Sequence, residues 1–187
     1  GQATYTWQYH PSFPSPYQGS NSLTPAASSR ATADLTLYLG RRLWEGGAIY
    51  VNPELDQGFG LSDTLGVAAY PSGEAYKVGS ASPYVRMQRW FLRQTFDLGA
   101  ASTPVASDEN QLAGTQTADR LTLTLGKFSV TDVFDTNTYA HDPRKDFLNW
   151  AIIDAGAFDY AADAWGYSYG AAAELSLGRW TTRAGVF

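Results

Sequence analysis

The stretch "ADRLTLTLGKF", Ala118 to Phe128, alternates apolar and polar side chains through its middle section. Its apolar phase is Leu121, Leu123 and Leu125, and its polar phase is Arg120, Thr122 and Thr124. Because successive side chains of a β-strand point to opposite faces, this period of two predicts a strand with one apolar and one polar face.

The same period recurs through most of the chain. Three further stretches show it: "GQATYTWQYH" (Gly1 to His10), "ATADLTLYLGRRLW" (Ala31 to Trp44) and "WGYSYGAAAELSL" (Trp165 to Leu177). In a fourth stretch, "SPYVRMQRWFLRQTFDL", the apolar residues before and after Arg89 and Trp90 fall in opposite phases. We therefore expect a β-bulge near these two residues.

The connections between the strands differ in length. Two are tight glycine turns, Trp44 to Ala48 and Ser176 to Trp180. Three are long and polar: Pro11 to Arg30, Asp56 to Ser82 and Val130 to Ala164. Counting strands places the short turns at one end and the long loops at the other, with Ala100 to Thr117 as a longish connection on the short-turn side. The pattern predicts about seven antiparallel strands.

Short turns at one end, long loops at the other and alternating strands are typical of a transmembrane β-barrel. A soluble β-sandwich or lipocalin-like barrel also alternates and is the competing interpretation. The polar phases are rich in Thr, Ser, Gln, Asp, Arg and Gly, which cannot form a dry core without unsatisfied groups. Aromatic residues make up 14% of the chain, and several lie near strand ends, as in interfacial girdles.

The composition excludes several classes of function. The chain has 187 residues and no cysteine, which excludes disulfides and thiolate metal sites. The net charge of −5 and the lack of a basic stripe argue against a nucleic-acid partner. No apolar run approaches the roughly 20 residues of a membrane-spanning helix. The alternating pattern begins almost at Gly1 and is still running at Phe187, so we expect a portion of a longer chain.

Three long segments of the sequence resemble a known family. They are "GQATYTWQYHPSFPSPYQGSNSL" from Gly1, "LYLGRRLWEGGAIYVNPELDQGFGLSDTLGVAAYPSGEAYK" from Leu37, and "RLTLTLGKFSVTDVFDTNTYAHDPRKDFLNWAIIDAGAFDY" from Arg120. In this order they are similar to the carbohydrate-selective porins, the OprB-like porins of Gram-negative outer membranes. The resemblance runs from Ala3 through the last strand, and its most specific part is "GKFSVTDVFDTNTYAHDPRKDFLNW", Gly126 to Trp150.

The resemblance implies an all-β fold, an antiparallel transmembrane barrel of sixteen strands. Residues 1–187 would then form a single partial domain, the N-terminal part of the barrel, with a short helix in a long loop. The implied function is passive diffusion of sugars such as glucose across the outer membrane, by a monomer or a homotrimer in contact with membrane lipid. Some relatives are linked to manganese uptake, so a divalent cation is an alternative solute.

In such a barrel the polar strand faces line water and set selectivity. The charged residues predicted on these faces are Asp34, Arg86, Arg93, Asp97, Arg120, Glu174 and Arg183. Arginine and carboxylate groups can bridge sugar hydroxyls, which would make these residues the pore lining. Simple solvation, or ion pairing that stiffens the wall, is the competing interpretation for each of them.

A second charged group lies in the loop after Val130. It comprises Asp132, Asp135, His141, Asp142 and Arg144, which we place at the pore mouth. Asp142 precedes Pro143 and would cap a short helix "PRKDFLNWAII". Loop fixing by such caps, pore lining, and a metal or catalytic cluster remain open as roles.

The sequence therefore predicts a porin that is not an enzyme, with no catalytic residues, metal site or cofactor. One alternative is a soluble carbohydrate-binding β-protein. Another is a glycoside-active enzyme that uses Asp132 and Asp135 as its carboxylate pair.

Overall fold

A computed structural model describes residues 1–20, 22–64, 79–135, 137–147, 152–154 and 160–187. The strands are β1 (Gln2–His10), β2 (Ser28–Thr36), β3 (Leu39–Trp44), β4 (Gly47–Gly58), β5 (Ser80–Asp97), β6 (Ser102–Val105), β7 (Gly114–Thr117), β8 (Arg120–Phe128), β9 (Ser168–Leu177) and β10 (Trp180–Val186). A 3₁₀ turn spans Leu61–Thr64, and the short helix α1 spans Thr131–Phe134. The regular secondary structure of the described residues is thus almost all β-strand.

One large antiparallel sheet dominates, in the order β1-β2-β4-β5-β8-β9-β10. β3 pairs with the first half of β4 and β2 with the second half, so β2 and β3 act as two halves of one wall strand. The large sheet therefore has seven wall positions, in agreement with the number predicted from the alternation. β6 and β7 form a separate small hairpin in the connection between β5 and β8.

The chain divides into two compact units. The first unit comprises Gly1–Thr36, Glu54–Arg86 and Asp135–Asp159. The second unit comprises Leu37–Pro53, Met87–Phe134 and Tyr160–Phe187. The contacts of each unit are described separately.

The sheet carries its apolar face outward and its polar face inward. In β8, Leu125 is 61% exposed, whereas its neighbour Thr124 is only 4% exposed. The same inversion holds in β2 and β4, where Leu35 and Leu55 are exposed while Asp34 and Asp56 are buried. Scattered exposed leucines are normal on a soluble protein, but an entire apolar sheet face is not. This arrangement fits a wall whose outer surroundings are apolar.

The alternation in β5 changes phase where the sequence indicates. Gln88 and Phe91 are both buried, and Trp90 between them is exposed. Phe91 lies opposite Gly126 of β8. Gly126 has φ +143°, and a Cβ there would collide with the Trp90 carbonyl oxygen and reach 2.7 Å from the Phe91 Cα. Glycine is therefore required at this point of the wall.

Aromatic rings occupy the inner face of the second unit. Their centroids lie 5.1 Å apart for Tyr50 and Phe91, 6.1 Å for Phe91 and Phe128, and 5.3 Å for Phe128 and Phe187. We call these four residues the aromatic layer. Val133 of α1 packs into the same cluster. The alternation alone predicts a hydrated polar inner face. The structure shows that this face also carries a layer of aromatic rings.

Two boundaries differ from the sequence predictions. Asp56 lies inside β4 instead of starting a long loop, because the inward phase of β4 continues to Gly58. The helix expected from Pro143 is only a single turn, closed by the bond from the Asp146 amide to the Asp142 carbonyl at 2.9 Å. Residues 148–151 of that predicted helix lie outside the described part. Among the described residues of this connection, the α-helix is α1, at its beginning.

No helix in the described part of the chain has the length and apolar character needed to cross a membrane.

Candidate functional site

The strongest charged contact of the second unit joins Arg89 of β5 to Asp132 of α1. Arg89 Nε and one terminal nitrogen donate to the two oxygens of Asp132, both at 2.7 Å. Both side chains are about one-fifth exposed (20% and 22%). The same carboxylate accepts the Ser129 amide at 3.0 Å, which is the back-bonding half of a capping box for α1. Asp132 therefore fixes α1 to the wall and is not presented as a free pore-mouth acid.

Tyr167 extends this contact toward a second pair. The Arg89 guanidinium carbon lies 4.9 Å from the Tyr167 ring centre, and Lys127 Nζ lies 5.8 Å from it. Lys127 also pairs with Asp163 at 3.2 Å. Burial raises the pKa of Asp163, but hydrogen bonds from the Trp165 and Tyr167 amides and from Lys127 outweigh it, so the pKa lies below its usual value. Two cations thus contact one aromatic ring, and each of them is paired with an aspartate.

Arg93 lies on the aromatic layer. Its guanidinium carbon is 5.2 Å from the Tyr50 ring centre and 5.1 Å from that of Phe91. One terminal nitrogen donates to the Asn110 carbonyl at 2.8 Å. The Asn110 side chain in turn accepts from Asn52 at 2.8 Å. The Arg93 guanidinium thus holds a neighbouring segment of backbone.

In the first unit, acids gather around one arginine. Asp34 of β2 lies directly opposite Asp56 of β4, and both are buried. Asp56 interacts electrostatically with Glu54, Asp34 and Arg86. Thr36 donates to Glu54 in the neighbouring pair of the same two strands. Three carboxylates and one guanidinium are thus brought together on the inward phase, as a polar lining requires.

The remaining strand candidates lie in the second unit and make local contacts. Asp97 accepts the Thr117 hydroxyl at 2.8 Å, and Arg120 donates to the Thr117 carbonyl at 3.2 Å. Arg183 and Glu174 face each other across β9 and β10 and pair at 2.8 Å. These contacts fit the interpretation as wall-stiffening pairs.

The loop candidates of the first unit fix their own loop. Asp135 accepts the backbone and side-chain nitrogens of Asn137 at 3.2 and 3.0 Å. His141 Nδ1 lies 2.9 Å from Asp154. In the described residues no three acidic or histidine side chains are placed together as a cation site. Asp135 and His141 therefore serve local loop structure.

Asp142 closes the single turn of that loop. It accepts the Arg144 amide at 3.0 Å and the Arg144 side chain at 2.9 Å, and pairs with Lys145 at 3.1 Å. Burial raises the Asp142 pKa, but these contacts outweigh the desolvation and hold it below the usual value. Asp142 thus makes cap-type contacts within a single turn, and the described residues 143–147 after it do not form a longer helix.

Sequence reasoning missed three groups that the structure brings forward. Arg89 sits where the phase of β5 changes, so neither alternating pattern assigned it a face. The sequence prediction places Asp56 in a loop. Asp56 is separated from Tyr50 and Asn52 by even numbers of residues, so alternation puts all three on the same inward face. Lys127 directly follows Gly126, whose positive φ marks a local departure from a regular strand. Extending the alternation of β4 by a few residues would have found Asp56.

Comparison with known proteins gives one match. The family model described as "Carbohydrate-selective porin, OprB family" matches residues 20–187. Neither the curated proteins nor the solved structures contain a match to the chain.

Proposed function

The chain belongs to the carbohydrate-selective porin family, the OprB family, and from this premise we propose that it forms part of the wall of an outer-membrane channel in a Gram-negative bacterium. Sugars such as glucose diffuse through that channel down their gradient. The protein works as a passive path, and no covalent step is assigned to any of its residues.

The inverted sheet is the observation that carries this proposal. An apolar face that is exposed and a polar face that is buried suit a wall with hydrocarbon outside and solute inside. A soluble carbohydrate-binding β-protein would bury the leucine faces against each other instead. Leu35, Leu55 and Leu125 are all exposed here, which favours the membrane wall.

The barrel itself is larger than the seven wall strands. β1 and β10 stand at the two ends of the described sheet order, and unpaired strand edges are costly in hydrocarbon. We therefore assign residues 1–187 to a single partial domain, the N-terminal part of a sixteen-stranded barrel that acts as a monomer or a homotrimer.

The lining chemistry suits neutral polyols. Sugars are recognised by aromatic faces combined with fixed donors and acceptors. The second unit offers the Tyr167 ring with two cations against it, and the aromatic layer with Arg93. The enzyme alternative has less support, because Asp132 is held by both nitrogens of Arg89 and Asp135 is engaged with Asn137. Loss of glycoside hydrolysis in an Asp135→Asn variant would reverse this assignment.

A cation is the second candidate solute. The observation that favours it is the acidic group of the first unit, where Asp34, Glu54 and Asp56 outnumber Arg86. Carboxylates that line a pore favour cations over anions. In planar bilayers, a cation-selective reversal potential that shifts toward anions in an Asp56→Asn variant supports this second function.

Liposome swelling tests the transport proposal. Full-length protein reconstituted into liposomes is expected to give faster swelling in glucose than in a disaccharide at equal osmolarity, because a narrow polar path retards the larger solute. Protein-free liposomes are the control. Swelling that is absent, or equal for all solutes including large ones, contradicts carbohydrate selectivity.

A further inference from the structure

We propose that the connection between β5 and β8 folds back onto the inner face of the wall and narrows the channel, with Asn110 at the tip of the constriction. The inference rests on the proposed function, since it assigns a role within the same channel. The part concerned is Asp108–Ala113, here called the tip segment, and it lies entirely in the second unit.

Two side chains of the wall, those of Arg93 and Asn52, hold the tip segment through hydrogen bonds to Asn110. Arg93 donates to the Asn110 carbonyl, and Asn52, which is 0% exposed, donates to the Asn110 side chain, both at 2.8 Å. Asn110 has φ 52°, a left-handed conformation that asparagine tolerates better than most residues. One residue thus satisfies two buried donors of the wall, which requires a fixed position of the loop.

The tip segment is internally ordered. Asp108 and Gln111 exchange backbone hydrogen bonds at 3.1 and 3.0 Å. The Asp108 carboxylate accepts the Glu109 amide at 2.8 Å. Gln111 donates its side-chain nitrogen to the Ala106 carbonyl at 2.7 Å. These bonds close a tight turn that projects from the β6–β7 hairpin.

Leu112 anchors the segment to the aromatic layer. It packs against the buried cluster that contains Tyr50. A Cβ at Gly40 would lie 3.1 Å from both Leu112 and Tyr50. Glycine at this position of β3 therefore leaves room for Leu112 to approach the wall. Arg42 donates to the Ala113 carbonyl on the same side.

The layer is also covered from the opposite end of the β5–β8 pair. The connection that carries the tip segment leaves β5 at Asp97, which pairs with Arg120. α1 instead lies beyond the other end of β8, after Phe128, and inserts Val133 into the same cluster. Segments from both ends thus meet on one ring layer, and this is where we place the narrowest part of the path.

The chemistry of the tip favours neutral solutes and cations over anions. Asp108 and Glu109 are exposed and carry the negative charge of the turn. Arg93 is a positioning residue for the tip segment, because its guanidinium donates to the Asn110 carbonyl and holds the turn in place.

Cysteine labelling of the full-length protein tests the constriction. These 187 residues contain no cysteine, so a thiol introduced at Glu109 is the single thiol among them, and any cysteine elsewhere in the full-length protein is first replaced by serine. Reaction of Glu109→Cys with a negatively charged methanethiosulfonate restores the charge of the glutamate and adds bulk. We expect single-channel conductance to fall by about half, since the added group stands in the narrowest section. Thr103→Cys in β6, exposed in the same connection, is the matched control and keeps its conductance.

A second variant tests the anchor. Arg93→Ala releases Asn110, and we expect a roughly twofold rise in conductance with weaker discrimination between glucose and a disaccharide. Arg93→Lys keeps the positive charge and a donor for the Asn110 carbonyl. We therefore expect this variant to retain the wild-type conductance.

The labelling result decides the proposal. Unchanged conductance of labelled Glu109→Cys, with glucose swelling intact, overturns the constriction and leaves the porin function standing. Wild-type protein that forms no channel overturns both.

Discussion

At the residue scale, the contacts of the arginines in β5 do not follow from the strand face on which alternation places them. Alternation predicts Arg86 and Arg93 on the polar phase but gives no face to Arg89 at the phase change. Yet Arg89 makes the best-formed ion pair of the second unit, with Asp132. A pairing partner that lies 43 positions away cannot be read from local periodicity.

Removal of Arg89 is expected to destabilise the barrel. In Arg89→Ala the largely buried Asp132 carboxylate loses both guanidinium donors, and breaking such a pair costs about 3 kcal/mol. The temperature at which full-length protein loses its heat-modifiable gel migration should therefore fall. Arg183→Ala, which breaks a more exposed pair with Glu174, should change it little, by about 0.5 kcal/mol. Equal effects of the two variants would contradict the assignment.

Gly126 gives a second test at this scale. Gly126→Ala forces a side chain into φ +143° against the β5 backbone, and we expect a loss of about 2 kcal/mol or more. Gly178→Ala is the matched control, because Gly178 also has a positive φ but has no atom within 4 Å of its added Cβ. It should cost about 1 kcal/mol. The same gel-migration temperature serves as the measurement, and a Gly126→Ala variant no worse than the control would count against the close approach.

At the element scale, strands were predictable and loops were not. A strand is encoded in each of its residues through the two-residue alternation, as in β8 and β9. The β6–β7 hairpin was not predicted, because its strands Ser102–Val105 and Gly114–Thr117 are too short to show a period. The helix expected after Pro143 depended on a cap signal alone. Asp142 does cap a turn, but a cap does not supply the packing that extends a helix.

The Asp142 turn should lose order in acid. Its folded pKa is lowered, so the stabilisation is present above the unfolded pKa of about 3.9 and is lost as the pH falls through the lower folded value. We expect pepsin cleavage within residues 137–147 to rise steeply across that window. Asp142→Asn, which lacks the titrating group, should be cleaved readily at every pH in the window. A wild-type profile parallel to that of the variant would contradict the role of the carboxylate.

At the scale of the whole molecule, composition and alternation leave a soluble sandwich as an alternative, and the three-dimensional sheet favours the membrane wall that we propose. Sequence alone separates two faces of a strand, but it does not say which of them faces the interior. The structure answers this, since Thr124 is buried and Leu125 is exposed. α1 and the tip segment cover part of the inner face through long-range contacts. Local sequence patterns do not predict such contacts.

The central claim is that the leucine face meets lipid and the threonine face meets the aqueous path. Leu125→Cys and Thr122→Cys of β8, each labelled with a small fluorophore in full-length protein in liposomes, test it directly. We predict that brominated lipid quenches the label at Leu125 and aqueous iodide does not, while the label at Thr122 shows the reverse. Quenching of both labels by iodide, with no effect of brominated lipid on either, would contradict the account.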